Sequence, residues 1–501
     1  MRRALAVLAQ LPPVVLTGMM VAWLVGIWST RIDFPFDLEW MEGGMLVHVW
    51  RLEQGLGLYV PPSADFVPYI YPPLYPWLLH LLGEPSYAIG RGVSVFGAAL
   101  ACAAAVFAVR REGVPWGIAV GAAGLFLSCY EDSGTFYDIV RADALAIGIA
   151  AWSIALCRQA TRPYVIGGGL LLVVAWLTKH NYALFGLPIG LWLWGAHGWR
   201  RAALFAAASA VPAGLITLAM NVATDGYFLT YLLGVPGSHP LVAERAWPLA
   251  EKELATVLQW TSGAMVLLAL TFILRVRAAG LYWLGILATA VGACILMRAH
   301  HGGFVNVMMP GHWALAVCGA AMLGAAAQRW SHPVVVLLLS SLMAWQIHDG
   351  RWEPRAEERM KPTPEEVEAG YRLIDQIAAY EGEVLAPQFA WYPAMAGKTP
   401  SLPLIAQWDI DHKGGPLKRE ADALPRSIAE QRWPVILTAH KHIKYGIEQH
   451  YTKTTRVTAR VGVSTRTGWR VRPTWFWEPT PPAAPEPAAP NPPAPDATPA
   501  R

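Results

Sequence analysis

Residues 33–83 read DFPFDLEWMEGGMLVHVWRLEQGLGLYVPPSADFVPYIYPPLYPWLLHLLG and lie between two long apolar runs. Asp37, Glu39 and Glu42 fall within six residues and are followed by two glycines. A helix beginning near Leu38 would place Glu39 and Glu42 on one face, with Asp37 as its N-cap. One helix start needs fewer acids than this, and carboxylates beside a membrane segment are costly unless they are paired or used. We therefore predict that this stretch carries the functional site.

The composition is typical of a membrane protein. Of the 501 residues 54% are hydrophobic, mean hydropathy is +0.34, and only 15% are charged, against about 25% in a soluble protein. The net charge of +4 is too small to indicate a nucleic-acid partner, and the basic residues lie in short loops rather than in one patch. The five cysteines lie in or beside apolar runs without metal-binding or disulfide spacing, which favours small buried side chains.

Hydropathy predicts about eleven membrane-spanning helices. They lie near residues 6–29, 87–109, 114–130, 143–157, 164–178, 181–198, 202–220, 258–274, 280–297, 304–326 and 333–347. The first run is long for a signal peptide and lacks a cleavage site, which predicts a retained helix with a cytoplasmic N-terminus. Arginines then occupy the inside loops and acids the alternate loops, so residues 33–65 and those after about 348 are predicted to lie outside.

Further polar groups are predicted on the outer side. Arg141 and Asp143 stand at the mouth of a span, where Arg141 either belongs to the site or pairs with Asp138. Lys179 and His180 form a turn between two spans, and the lysine either snorkels to the interface or neutralises an anionic ligand.

Three other segments complete the predicted outer surface. The run 71–80 is too short to span and predicts a helix lying in the interface. The amphipathic segment 251–260 is predicted to cover the site. The adjacent His300 and His301 offer imidazoles for a phosphate or a metal, although neighbours on a helix point in different directions.

From about residue 349 the composition turns polar, which predicts a small α/β module on the outer face. Thr363, Pro364 and two glutamates form a helix start. Strands are expected at 384–385, 434–438 and 455–463, and a second helix at 417–431. The module shows no nucleotide-binding loop and no catalytic triad pattern.

Residues 478–501 are mostly Pro and Ala, which predicts a disordered tail. The predicted domains are therefore a membrane-embedded catalytic domain at 1–348, the α/β module at 349–477 and the tail at 478–501.

The outer groups supply what glycosyl transfer to an alcohol requires. A carboxylate can accept the proton of the acceptor hydroxyl, and cations or a metal can stabilise the departing phosphate. Because the chain has no nucleotide motif, a donor anchored in lipid fits a site at bilayer level better than a nucleotide sugar does.

The layout resembles the GT-C superfamily of integral membrane glycosyltransferases, nearest the bacterial group of protein mannosyltransferase-like, aminoarabinose transferase-like and lipopolysaccharide-core transferases. The matching segments occur in order over roughly residues 1–345, and they are DLEWMEG at 37–43, GLGLY at 55–59, YPPLYP at 71–76, GR at 90–91, RADALA at 141–146, TKH at 178–180 and GGFVN at 302–306 with Pro310. The resemblance implies an all-α polytopic bundle and inverting transfer from a polyprenyl-phosphate sugar to an extracytoplasmic glycan, lipid or protein. It also places the catalytic carboxylate in the first outer loop.

The first outer loop departs from the adjacent Asp-Glu pair common in that superfamily, because its acids are spaced as Asp37-x-Glu39-x-x-Glu42. All three acids therefore stay candidates for the base. Glu42 is favoured because it matches the Glu-Gly step of the resembling loop and precedes two glycines that allow close approach of a substrate. Asp37 is second.

The predicted protein is a glycosyltransferase of the bacterial inner membrane, with its site and module on the periplasmic side. The predicted ligands of the donor phosphate are Arg141, Lys179, His180, His300 and His301, and the further site residues are Asp143, Tyr71 and Asn306. A divalent metal is left open. Two alternatives are a transporter or flippase of a lipid-linked or anionic solute, against which no inverted repeat is evident, and a non-catalytic scaffold whose module binds a partner.

Overall fold

The computed structural model describes residue 5 and residues 7–259, 277–330, 332–349, 354–439, 445–457 and 462–481. Most of the predicted span at 258–274 and most of the predicted tail at 478–501 lie outside the described residues. Within them, a large helical part is followed by a small C-terminal α/β module.

Helices occupy the predicted spans on both sides of the gap at 260–276. They are Leu11–Arg31, Tyr87–Arg111, Trp116–Ser128, Ala142–Cys157, Arg162–Thr178, Gly186–His197, Trp199–Ala223, Arg277–Ala299, Met309–Trp330 and Pro333–His348. Five described helices are long and apolar enough to cross a membrane, judged by length and composition. This supports a multi-pass membrane protein, whereas the predicted count of about eleven spans stays a prediction.

Shorter helical segments lie between these helices. They are Glu42–Glu53, Leu74–Leu82, Tyr227–Leu229, Val235–Gly237 and Ala243–Ala250, the 3-10 turns His180–Phe185 and Val305–Met308, and the π-helical turns Thr230–Gly234 and Glu251–Ala255. The helix predicted within 71–80 is thus present at Leu74–Leu82, and its place in the membrane interface stays a prediction.

Two glycines bring the helices Tyr87–Arg111 and Ala142–Cys157 into backbone contact. A Cβ atom at Gly97 would lie 2.4 Å from the Leu145 nitrogen, and one at Gly148 would lie 2.3 Å from the Gly97 oxygen. Small residues allow this close approach of helices. The contact holds the N-terminal ends of both helices, which carry Arg91 and Asp143, beside the acidic loop (residues 33–43).

The C-terminal module contains a four-stranded sheet. Its strands are β1 (Val384–Leu385), β2 (Val435–Ala439), β3 (Tyr451–Arg456) and β4 (Pro473–Pro479). The strand order is β1-β2-β4-β3, with β1 parallel to β2 and the other two pairs antiparallel. The helices of the module are Pro354–Met360, Pro364–Ala379, Tyr392–Met395, Leu404–Ile410, Ala423–Ala429 and Ile447–His450, with a 3-10 turn at Glu420–Asp422.

The predicted helix start at Thr363 is confirmed. The Thr363 side chain accepts the Glu366 N–H, and the Glu366 side chain accepts the Thr363 N–H, which together form a capping box. The helix predicted at 417–431 is shorter than expected because Pro425 is tolerated only in a first helical turn.

The predicted strands at 384–385 and 434–438 are present as β1 and β2, the latter shifted by one residue. The strand predicted at 455–463 is found earlier, as β3, and residues 458–461 lie outside the described part of the chain. Strand β4 was missed because prolines stand at both of its ends, where they resembled the start of the tail.

Candidate functional site

The acidic loop is held between the helical part and the module. Its Leu38 carbonyl accepts hydrogen bonds from the backbone N–H groups of Arg466 at 2.7 Å and Thr467 at 3.1 Å. Phe36 packs edge to face against Tyr392 of the module, with ring centroids 5.6 Å apart. The module therefore forms part of the immediate surroundings of the three acids.

The helix after the acids begins at Glu42 and not near Leu38, so the prediction that Glu39 and Glu42 share a helical face is wrong. Asp37 is not its N-cap by position, since Met41 stands there without a side-chain cap. The Asp37 Oδ1 nevertheless accepts the Gly43 N–H at 2.8 Å and so reaches the first turn from outside the helix.

Glu42 lies in a closed cage of hydrogen-bond donors. Arg91 donates from Nε to Oε1 at 3.0 Å and from Nη2 to Oε2 at 2.8 Å, and neither residue is exposed. The backbone N–H of Val140 reaches Oε1 at 2.7 Å, and that of Leu38 reaches Oε2 at 2.6 Å. Both carboxylate oxygens are thus occupied by donors, which suits a group that positions the loop.

Asp37 is also fully buried. Its Oδ1 accepts the Tyr87 hydroxyl at 2.8 Å in addition to the Gly43 N–H, whereas Oδ2 has no hydrogen-bond partner among the described residues. Burial, aided by the negative charge of Glu42, raises the pKa of Asp37 well above its usual range. These surroundings favour the neutral acid.

Glu39 differs from both because it lines a large cavity. Its Oε2 accepts Arg141 Nη1 at 3.0 Å and the Met41 N–H at 3.1 Å. Its Oε1 receives no hydrogen bond from the described residues. Burial raises the pKa of Glu39 to about 7, and Arg141 opposes that shift. Glu39 therefore combines a free oxygen with a pKa close to neutrality.

Two cations converge beside Glu39. Arg141 donates from Nη2 to the Tyr71 hydroxyl at 3.0 Å and approaches Asp143 Oδ2 with Nε at 3.8 Å. The other oxygen of Asp143 accepts Lys179 Nζ at 2.5 Å and Asn306 Nδ2 at 2.7 Å. Residues from four separate predicted outer loops thus meet in one hydrogen-bonded chain.

The alternative pairing of Arg141 with Asp138 is wrong. Asp138 instead binds Arg31, with 2.6 Å between its Oδ2 and the Arg31 Nε, and both side chains are fully buried. Lys179 does not snorkel outwards either, since it is 9% exposed and bonded to Asp143. Both cations are therefore placed where they can act on a ligand.

The cavity has a volume of about 1320 Å³ and is lined by residues of both the helical part and the module. Of the predicted site residues, Glu39, Tyr71, Arg141, Lys179, His180, His300, His301 and Asn306 line it. Asp143 lies behind this wall and holds its cations, while Asp37 and Glu42 are not part of the lining.

His300 is engaged with backbone carbonyls, because its Nδ1 lies 2.9 Å from the His301 oxygen and its Nε2 lies 3.2 Å from the Pro236 oxygen. Two unpredicted imidazoles, His239 and His412, lie close by, with their ring centroids 4.4 Å apart. Among the described residues, no group of three or more His, Cys, Asp or Glu side chains is arranged to hold a metal ion.

No protein-family model and no curated protein matches this sequence. In fold the chain is similar to ArnT from Cupriavidus metallidurans bound to undecaprenyl phosphate, with a TM-score of 0.56, 12% identity, and 91% of this chain and 97% of that chain covered. It is also similar to the oligosaccharyltransferase AglB from Archaeoglobus fulgidus, in complex with an inhibitory peptide and a dolichol-phosphate, with a TM-score of 0.53, 12% identity, and 87% and 69% covered.

The chain has the GT-C fold. The resemblance noted from the short segments is thereby confirmed at the level of the fold. Within this GT-C fold, the predicted segments at 37–43, 71–76, 141–146, 178–180 and 302–306 all contribute residues to the wall of one cavity.

The module supplies cavity residues that the sequence analysis missed. Trp408, Asp409, His412, Gly468 and Trp469 all line the cavity of this GT-C fold. The only signal in the sequence was the short run WDIDH at 408–412, which combines an aromatic, two acids and an imidazole. No local pattern shows that this run lies beside the acidic loop some 370 residues earlier, because only the folded chain brings them together.

Proposed function

We propose that the protein is a membrane glycosyltransferase that moves a sugar from a polyprenyl-phosphate donor to a hydroxyl group of an acceptor. The observation that carries this proposal is Glu39 on the wall of the cavity. Its Oε1 receives no hydrogen bond from the described residues, Arg141 binds its other oxygen, and Asp143 links Arg141 to Lys179. The GT-C fold supports it, since ArnT and AglB structures of that fold contain undecaprenyl phosphate and dolichol-phosphate.

Glu39 is the general base in this proposal, in place of the initially favoured Glu42. A base needs a free oxygen within reach of the substrate and a pKa near the working pH. Glu39 has both, whereas the oxygens of Glu42 are occupied by Arg91 and backbone donors. Asp37 is less suitable because its surroundings favour the neutral acid and it does not line the cavity.

Arg141 and Lys179 stabilise the leaving group in this proposal. The acceptor hydroxyl gives its proton to Glu39, and its oxygen forms a bond to the anomeric carbon of the donor. The bond from that carbon to the phosphate oxygen breaks, its electron pair stays on the phosphate, and the configuration inverts. The growing negative charge lies beside the two cations, which act strongly because both side chains are largely buried.

His180, His300, His301, Tyr71 and Asn306 surround the same space. They are proposed contacts of the donor, while Asp143 positions the cations. The described residues offer no metal cluster, and the proposal routes no step through a metal.

The test is transfer of a labelled sugar from polyprenyl-phosphate donors to an envelope extract by the purified full-length protein. Glu39→Gln should lower the rate by about 100-fold or more, the usual scale for loss of a general base. Asp37→Asn, at an equal amount of folded protein, is the matched control and should stay within a few-fold of wild type.

Near wild-type transfer by Glu39→Gln would remove Glu39 from the reaction. Movement of the lipid-linked sugar across a bilayer by a wild-type protein that transfers nothing would favour the flippase alternative.

We further propose that the cavity and the module face the periplasm of a bacterial inner membrane. The support is the distribution of arginines and acids between alternate loops. Reporter fusions after Arg111 and after Asp349 should give opposite signals, and equal signals would contradict this orientation.

A further inference from the structure

Three tryptophans meet where the helical part contacts the module. The ring centroids of Trp40 and Trp408 lie 5.6 Å apart, those of Trp40 and Trp469 lie 4.9 Å apart, and those of Trp408 and Trp469 lie 5.1 Å apart. All three line the cavity. Trp40 is buried, whereas Trp408 and Trp469 are half-buried and leave apolar surface to a ligand.

This tryptophan cluster (Trp40, Trp408 and Trp469) is joined to the proposed base through neighbouring residues of the chain. Trp40 follows Glu39 in the chain, and Gly468 precedes Trp469. A Cβ atom added at Gly468 would lie only 2.6 Å from the free Oε1 of Glu39. The two oxygens of Glu39 therefore lie against different surroundings, with Oε2 bonded to Arg141 and Oε1 beside the backbone next to Trp469.

Asp409 adds a carboxylate to the same wall. It follows Trp408, lines the cavity, and its side chain has no hydrogen bond or ion pair among the described residues. Its backbone oxygen lies 2.7 Å from His239 Nε2, which fixes the segment. Burial raises the pKa of Asp409 to about 7, against the effect of Arg141. Asp409 is half-buried, so its carboxyl is partly withdrawn from water without a protein partner among the described residues and is available to a ligand.

We infer that the tryptophan cluster and Asp409 form the acceptor subsite, and that the acceptor is a carbohydrate. The C–H face of a pyranose ring packs on the electron-rich face of an indole, and neighbouring sugar hydroxyls donate hydrogen bonds to the Asp409 carboxylate. This inference rests on the proposed function, because it takes the side of Glu39 opposite Arg141 as the acceptor side.

Carbohydrate fits this wall better than the other ligands that aromatic sites bind. The indoles pack against one another, with centroids no more than 5.6 Å apart, so no gap remains between them for an ammonium group. A phosphorylated acceptor group is disfavoured at the same point, because Asp409 would repel it. A sugar ring needs only an apolar surface flanked by a hydrogen-bond acceptor, which this wall supplies.

The experiment is saturation-transfer NMR on the purified full-length protein with maltotriose, chitotriose and mannotriose, and with trialanine as the peptide probe. Wild type and Glu39→Gln should both transfer saturation to at least one trisaccharide. Trp408→Ala and Asp409→Asn should weaken that binding by about tenfold, and Trp408→Phe should retain most of it. Trp475→Ala, in the same module but outside the cavity lining, is the matched control and should bind as wild type does.

Each outcome supports or contradicts either the carbohydrate subsite or the proposed function. No trisaccharide signal, an unchanged signal in Trp408→Ala, or a signal from trialanine alone would overturn the carbohydrate subsite. Sugar transfer by the wild type with an acceptor KM unchanged in Trp408→Ala and Asp409→Asn would overturn the subsite while the proposed function stands. Trisaccharide binding that depends on Trp408, in a protein that transfers no sugar, would overturn the proposed function while the binding site stands.

Discussion

Two glutamates three residues apart in the acidic loop each pair with an arginine from elsewhere in the chain, and the two pairs have opposite characters. In the pair of Glu42 and Arg91, both side chains are fully buried and every carboxylate oxygen is bonded to the guanidinium and to backbone N–H groups. In the pair of Glu39 and Arg141, Glu39 lines a cavity and one of its oxygens receives no hydrogen bond from the described residues. Residue type and position in the sequence do not distinguish these two carboxylates, whereas the number of their occupied oxygens does.

The pair of Glu42 and Arg91 positions the chain segment that carries Glu39. Arg91 also donates hydrogen bonds to the carbonyls of Arg31, Phe34 and Phe36, so it sets the course of the chain just before Glu39. A side chain with all its polar atoms bonded holds one conformation, and this rigidity supports the neighbour whose oxygen is available.

The largest effect on stability should come from breaking the pair of Glu42 and Arg91. Glu42→Gln leaves the Arg91 charge buried without its partner, so the free energy of unfolding should fall by roughly 3–5 kcal/mol. Denaturant unfolding of the purified protein in detergent measures this. Glu39→Gln should destabilise far less, because Arg141 keeps Asp143 and Tyr71. Equal destabilisation by the two variants would remove the distinction between the pairs.

The pH dependence of transfer should follow the protonation of Glu39, the glutamate paired with Arg141. Burial holds the pKa of Glu39 near 7, and only the deprotonated form can accept a proton, so activity should be full above pH 7 and lost as the pH falls. The rate at a pH of about 5 should be roughly 100-fold below the plateau. Because Asp409 titrates in the same range, Asp409→Asn should be measured in parallel and should keep the acid limb. A flat profile would contradict the role of Glu39.

A smaller effect should follow from crowding the free oxygen. Gly468 has a φ of +69°, and an added Cβ would press on Glu39 Oε1, so Gly468→Ala should lower transfer by about tenfold. Gly397→Ala is the control, since Gly397 has a φ of +73° with open space around it. Equal losses in both would assign the effect to backbone strain rather than to displacement of Glu39.

The smallest effect should come from Asp37→Asn. The raised pKa of Asp37 means that its surroundings favour a neutral side chain, and asparagine keeps an oxygen for the Gly43 N–H. Transfer and melting temperature should both stay close to wild type, with a rate within about threefold. A 100-fold loss of transfer would make Asp37, and not Glu39, the base.

Physical chemistry that acts along the chain made much of the fold predictable. Apolar runs must be long and continuous to be stable in lipid, and the capping box at Thr363 is complete within four residues. The start of the helix after the acids was not predictable from spacing. The Glu42 side chain folds back to accept the Leu38 and Glu39 N–H groups, so the chain turns before the helix begins.

For the site, too, some residues were predictable from the sequence and others were not. Glu39, Arg141 and Lys179 were predicted because charged residues beside membrane-spanning runs are rare and therefore stand out in the sequence. The partners of the acids were not predictable, because they depend on how the helices pack. Two of the donors to Glu42, for example, come from the distant residues 91 and 140. For the same reason the sequence did not predict that Trp408 and Asp409 line the cavity.

The double hydrogen bond from residues 466 and 467 to the Leu38 carbonyl has a consequence for how the protein is made. During translation the acidic loop leaves the ribosome some 400 residues before the segment that fastens it. Domains generally fold as they emerge, so the helical part can insert long before its loop is completed. A nascent or prematurely terminated chain therefore carries the acids without the wall that positions them. In the proposed function, transfer activity is therefore acquired only after residues 466 and 467 have been synthesised.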